Sequence, residues 1–222
     1  MFLETMLLTF KVALITTIIL FTIGIPISLW ISSTKSKLKP IFETIVSMPL
    51  VLPPSVIGFY LLIFLGPSSF IGNIFEEYLN MRLVLSFEGI IVGSVIFSFP
   101  FMIHPIQSGL QALPKSLIEA SYTLGKSKLE TLFFVQLPNI KASLLTGIVL
   151  TFAHTVGEFG VVLMIGGNIP GETRLASLAI YDEVEALNYT QANQYALTLF
   201  IICFAILLIV YMLNRRFGGV LK

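Results

Sequence analysis

The sequence predicts an all-α, polytopic membrane protein. Five transmembrane helices are expected, with the N-terminus outside, the C-terminus cytoplasmic and a cytoplasmic helical element between helices 3 and 4. Three observations carry this. The chain of 222 residues is 56% hydrophobic and only 11% charged, with a mean hydropathy of +0.94. A soluble domain carries roughly 25% charge, so this chain has too few polar residues to coat itself against water. Five stretches, 6–32, 41–65, 87–110, 140–165 and 192–213, reach the length of about 20 apolar residues that one bilayer crossing needs. The cations are also one-sided. Lys35, Lys37, Lys39, Lys115, Lys126, Lys128, Lys141, Arg215, Arg216 and Lys222 share one side, and only Arg82 and Arg174 fall on the other. Cytoplasmic loops collect Lys and Arg, which orients the chain.

The first span has too long an apolar run for a cleaved signal peptide and lacks both a basic leader and an A-x-A-like site. Lys11 lies within it. The second span reads "MPLVLPPSVIGFYLL", with Pro49, Pro53 and Pro54 in mid-run. Proline removes an amide donor and clashes with the preceding turn, so this helix is expected to be kinked or broken. Carbonyls freed at that depth must be buried in protein or face a watery cavity. The third span repeats the theme at Pro100 and Pro105.

Residues 111–141 follow on the cytoplasmic side, longer than a mere connection of 2–8 residues. Ser116 with Glu119 and Ser127 with Glu130 each make an S-x-x-E capping box. Gly125 sits where the first helix should stop, and Pro138 follows the second. Helix, glycine turn, helix is the expected form, and its length suggests a partner.

Within it, "ASYTLGKS" (120–127) is one residue type short of the G-x-x-x-x-G-K-[ST] phosphate loop. That loop follows a buried strand and opens a helix, so that its amides converge on phosphate. Here the preceding "PKSLIEASYTL" is a capped amphipathic helix, and the sole aspartate, Asp182, falls on the opposite side of the membrane. Nucleotide binding by this segment is not expected.

The fourth span carries His154 and Glu158, four residues apart and therefore on one helical face. An ionised mid-span group costs about 3 kcal/mol unless paired. His154 is one candidate partner for Glu158; Lys11, at similar depth in a span running the other way, is a second. With only His104 besides, and no nearby cysteine, a metal site is not expected. The loop that follows, "GGNIPGETRLASLAIYDEVEALNY", predicts a turn at Gly166, Gly167, Pro170 and Gly171, then an amphipathic helix over 173–187. The fifth span holds the lone Cys203, which excludes a disulfide framework. No linker or low-complexity tract divides the chain, so 1–222 is expected to be one membrane domain. Near-neutral net charge gives no reason to expect nucleic acid.

Glu119-Ala120-Ser121, three residues, Gly125, nine residues, then Val135-Gln136-Leu137-Pro138 resembles the E-A-A-x(3)-G-x(9)-I-x-L-P loop. That loop marks the membrane subunits of binding-protein-dependent ABC importers. Ser121 and Val135 depart from it, each conservatively. "PLVLPPSVIGFYLL" and "HTVGEFGVVLMIGGNIPGETRLASLAIYD" look like the molybdate permease group, and the resemblance covers nearly the whole chain. It implies a subunit of the cytoplasmic membrane of a prokaryote, carrying no cofactor and not itself an enzyme. Implied partners are a second copy, two ATP-binding cassette subunits beneath, and an extracellular or periplasmic oxyanion-binding protein above. Glu119, Ala120, Ser121, Gly125, Leu137 and Pro138 would then form the ATPase-coupling segment. Gly166, Gly167, Asn168, Pro170, Glu172 and Arg174 would dock the binding protein.

Molybdate is a tetrahedral dianion, and a bare ion in hydrocarbon costs tens of kcal/mol. Its path must offer hydrogen bonds without binding too tightly for release. Hydroxyls at Ser47, Ser55, Ser94, Ser98, Thr151 and Thr155, beside the break at Pro53 and Pro54, are the candidates; close helix packing is the alternative role for each. A sulfate permease is the runner-up substrate class. An ion-coupled secondary transporter fits less well, because no internal repeat is seen.

Overall fold

The computed structural model describes residues 1–218, those from 213 on by backbone alone. Lys222, among the cations that orient the chain, lies outside the described residues. No strand occurs among the described residues, in line with the all-helical expectation.

Helix α1 spans Phe2–Ser33 and runs through Pro26 without a break. Its buried side carries small and hydroxylated residues (Thr9, Ala13, Thr16, Gly24 and Ser28), which let neighbouring helices approach closely. The second predicted span is two helices, α2 (Lys39–Val51) and α3 (Pro54–Leu65), bent by 111°. Residues preceding proline favour extended backbone, and Leu52 and Pro53 adopt ψ of 138° each. At 1.5 Å per residue, each half is about 20 Å long, too short to cross alone.

Helix α4 (Phe70–Leu79), an element that the span count omits, is capped by Ser69 and closed by left-handed Asn80. Helix α5 (Phe87–Ala112) begins at the Ser86 cap, matches the third span, and stays unbroken through Pro100 and Pro105. It lies against α1 on one side and the fourth predicted span on the other. That packing holds α5 together despite two missing amide donors. The central contact layer is Leu20, Met102, Ile106, Leu110 and Ile140.

The segment after α5 forms α6 (Lys115–Thr123), α7 (Lys128–Thr131), a wide π-turn over Leu132–Gln136, and α8 (Leu137–Asn139). Two local expectations change here. Ser116 does not cap α6, because the N-cap position falls two residues earlier, at Pro114. Nor does Pro138 end the second helix: it sits inside α8, and the chain bends by 76° only at Ile140. The π-turn just before it widens the coil where the proline ring would otherwise meet the carbonyl four residues back.

The fourth predicted span is also two helices, α9 (Lys141–Val156) and α10 (Gly160–Gly166), separated by Gly157, Glu158 and Phe159. Gly160 stands where a Cβ would come within 2.7 Å of Pro54 Cβ. Backbone meets backbone there, and the broken second segment packs directly on the broken fourth. Helix α11 (Ala176–Glu185) follows the loop after α10, and α12 (Tyr189–Gly218) is the last helix among the described residues. By length and composition the described residues hold three helices able to cross a membrane, or up to five if each bent pair counts as one span. Phe200, Phe204 and Leu208 of α12 are exposed, as suits a surface solvated by lipid.

Candidate functional site

Three regions carry the residues singled out above. The first is the bracket formed by α6 to α8. Helix α6 ends in a Schellman turn: Gly125 N–H donates to Tyr122 O and Lys126 N–H to Ser121 O, with Gly125 at φ +80°. Helix α7 opens with a complete capping box between Ser127 and Glu130. The Ser127 backbone amide and hydroxyl, with the Lys126 ammonium beside them, hold the Glu130 carboxyl below its ordinary value of 4.5. Ser121, which departs from the family alanine, is buried, and its hydroxyl lies 2.9 Å from that of Thr131. That bond ties α6 to α7. Sequence reading missed it, although two hydroxyl residues ten apart across a glycine turn are a usable signal.

The exposed side of this bracket combines apolar residues with charged ones of both signs. Glu119, Tyr122, Leu124, Leu129 and Phe134 are exposed, Leu124 by 82%. Leu137 is half-buried and Pro138 exposed, and Ala120 lines a cleft of about 640 Å³ between the bracket and the bundle. Lys126, the phosphate-loop lysine of the rejected reading, bonds Glu130 Oε1 at 3.2 Å. The geometry is that of a glycine turn between two helices rather than a phosphate cradle.

The second region is the polar interior between α5 and α9. Ser98 Oγ lies 2.9 Å from Thr155 Oγ1 and 3.0 Å from His154 Nδ1, and Thr155 donates to Thr151 O. Thr155 has one proton, so Ser98 donates to it and accepts from an Nδ1–H tautomer of His154. The His154 ring stacks on Phe101 at 3.9 Å between centroids. Glu158 is 3% exposed and accepts from Ser94 Oγ at 2.7 Å. Both sequence-derived partners for Glu158 are therefore corrected. Helix α9 stops at Val156, so His154 and Glu158 do not continue one helical face, and Lys11 instead sits 4.5 Å over the Phe87 ring.

The path candidates divide in the same way. Ser98, Thr151 and Thr155 are fully buried within the chain. Pro53, Pro54 and Ser55 are exposed at the α2–α3 break, and Ser47, half-buried, bonds His104 Nε2 at 3.1 Å. Beside Ser47, a groove of about 520 Å³ runs along α2 past Glu43, Met48 and Leu52.

The third region is the loop between α10 and α11. Asn168 donates to both carboxylate oxygens of Asp182 at 2.9 Å, and Arg174 bonds Asn168 Oδ1 and Asp182. Thr173 is fully buried and donates to Gly166 O. Asn168 and Arg174 thus shape the loop, Gly166 is buried beneath it, and Gly167, Pro170 and Glu172 remain exposed at its tip. The predicted helix over 173–187 shortens to α11, whose first amide bonds Thr9 Oγ1 of α1.

A bundle of long apolar and bent helices with a helix–turn–helix bracket beside it is the architecture of a polytopic membrane protein. The comparisons make the class specific. Residues 24–219 match the family model described as binding-protein-dependent transport system inner membrane component, and the chain belongs to that family. The molybdenum transport system permease protein ModB of Azotobacter vinelandii is 42% identical, over 95% of this chain and 92% of that one. A Bacillus subtilis protein named for molybdenum transport is 32% identical over 93% and 91%. A Prototheca wickerhamii protein named for sulfate transport is also 32% identical, over 93% and 79%. Among solved structures, the MetNI methionine ABC transporter aligns with a TM-score of 0.76 at 19% identity, covering 96% of this chain and 94% of that one. A bacterial alginate ABC transporter aligns at 0.79 and 16%, covering 97% and 78%. These last two likenesses concern the fold alone.

Proposed function

We propose that the protein is the permease subunit of an ABC importer that moves molybdate or tungstate across the cytoplasmic membrane of a prokaryote. ATP hydrolysis in a separate cassette subunit would drive it. The observation that carries this reading is the bracket: a Schellman turn at Gly125, a buried Ser121–Thr131 bond and an exposed Glu119, Leu124 and Leu129 face. A rigid arm projecting outside an apolar bundle can pass a partner's motion into the membrane. Glu119, Ala120, Ser121, Gly125, Leu137 and Pro138 are its coupling residues.

The whole chain acts as one domain with five crossings. If α2 and α3 returned to the side they left, Lys35–Lys39 and Lys115–Lys141 would fall on opposite faces. The cation bias therefore favours counting that bent pair as a crossing. Two copies related by a two-fold axis would line the path with the exposed α2–α3 break, Ser47, Pro53, Pro54 and Ser55, while Ser98, Thr151 and Thr155 act as packing and positioning groups. Gly167, Pro170 and Glu172 would meet the oxyanion-binding protein outside. The relatives named for molybdenum transport support the substrate class, and the one named for sulfate favours sulfate as the second reading.

The test is co-expression with the cognate cassette and binding proteins, followed by reconstitution in liposomes. Molybdate uptake should require both ATP and the binding protein, with sulfate competing weakly. Uptake by the chain alone, without ATP, would replace this reading with a secondary transporter. Preferential sulfate uptake would move the substrate to the second reading.

A further inference from the structure

Glu158 joins elements that the coupling segment does not reach. It occupies the break between α9 and α10, and its side chain accepts from Ser94 of α5. Its main-chain carbonyl accepts from Ser177 Oγ of α11 at 2.5 Å. Its neighbour Phe159 meets the Tyr181 ring, also of α11, at 5.2 Å between centroids. Beyond Phe159, Gly160 rests on Pro54 at the α2–α3 break. Helix α11 is in turn clamped to the external loop through Asp182, Asn168 and Arg174. A contiguous chain of bonds and packed backbone therefore runs from the loop, through α11, into both helix breaks.

We propose that Glu158 is a positioning residue that passes the seating of the external loop on its partner to the paired breaks. Ser177 holds its main chain and Ser94 holds its side chain. Several features fit the role. A helix break without a proline can absorb backbone rotation, as a hinge must. Helix α11 reaches that break by one hydroxyl and one ring contact, so the link is short and separable. The carboxyl is buried with Ser94 as its single hydrogen-bond donor, and its Oε1 has no partner among the described residues. A side chain placed only for stability at that depth would be better served by an apolar residue of the same volume.

This inference rests on the importer reading, and its test separates the two. The complete complex is reconstituted, and its ATPase rate is measured with and without loaded binding protein. Ser177→Ala should assemble with an unchanged basal rate but lose about fivefold of the stimulation, the ratio that one ordinary hydrogen bond maintains. Glu158→Gln, which still offers an amide oxygen to Ser94, should keep most of the stimulation, and Glu158→Leu should not. Ser177→Ala and Glu158→Leu complexes that assemble and respond like the unaltered one would overturn the proposal. An unaltered complex that shows no stimulation would instead defeat the importer reading itself.

Discussion

Substitution at Gly125 separates a turn requirement from a size requirement. Gly125 has φ +80°, and a Cβ built on it meets no atom within 4 Å. The cost of a side chain is therefore torsional, without a steric term. Placing an L-residue in left-handed backbone costs about 1–2 kcal/mol, or about five- to thirtyfold in an equilibrium. Asparagine tolerates that region best after glycine, and a β-branched residue tolerates it least. The turn sets the angle between α6 and α7 through the Gly125–Tyr122 and Lys126–Ser121 bonds. Affinity for the cassette subunit should thus fall in the order Gly, Asn, Ala, Val, with Gly125→Ala about five- to thirtyfold weaker. The assay is titration of the purified cassette protein onto the detergent-solubilised, immobilised membrane subunit, with insertion of each variant checked by membrane fractionation. Lys126→Ala should bind almost normally, since its ammonium serves Glu130 alone among carboxylates. Equal binding by Asn and Val variants would refute the torsional argument. A Lys126→Ala defect larger than that of Gly125→Val would refute the bracket reading.

Other outcomes follow from the same geometry. Because hydrogen bonds from Ser127 and then Lys126 depress the Glu130 carboxyl, its contribution to the cap is complete above the ordinary value of 4.5 and is lost as pH falls through the depressed one. Hydrogen-exchange protection of the Ser127 amide, corrected for intrinsic rates, should stay flat near neutral pH and drop only in acid, and Glu130→Gln should abolish that acid step. Gly160→Ala drives a Cβ to 2.7 Å from the Pro54 ring, which cannot swing aside. Overpacking of this kind costs about 1–3 kcal/mol, so the melting temperature in detergent should fall, and an unchanged value would mean that the two breaks do not touch. In a Cys203→Ser background, Glu172→Cys should react with an impermeant maleimide in intact cells, whereas Ser127→Cys should react only after permeabilisation; the reverse pattern would invert the topology.

Composition and periodicity alone determined that this protein is helical, that it lives in lipid, and where its apolar segments begin and end. Those properties follow from local chemistry: the cost of burying charge, the 3.6-residue repeat and the intolerance of a helix for proline. The Ser127–Glu130 cap and the Gly125 turn were legible for the same reason, since each is made by residues within five positions. The E-A-S, glycine and L-P spacing named the family before any coordinate. Tertiary structure decided the rest. Proline was read correctly at the α2–α3 break but too strongly in α5, where packing on both sides keeps the helix whole. The break at 157–159 has no proline, and beside it Gly160 packs on Pro54, which lies about a hundred positions away in sequence. Glu158 looked like half of an ion pair because spacing and span depth offer only charged or titratable candidates, His154 and Lys11, and cannot show which hydroxyls pack beside it. Its partners are hydroxyls at Ser94 and Ser177, brought in by α5 and α11. A hydroxyl buried in a polar network and one facing a path are the same residue in a sequence. Only the packing of α5 against α9 separates Ser98 and Thr155, enclosed within the chain, from Ser55, left open at the break.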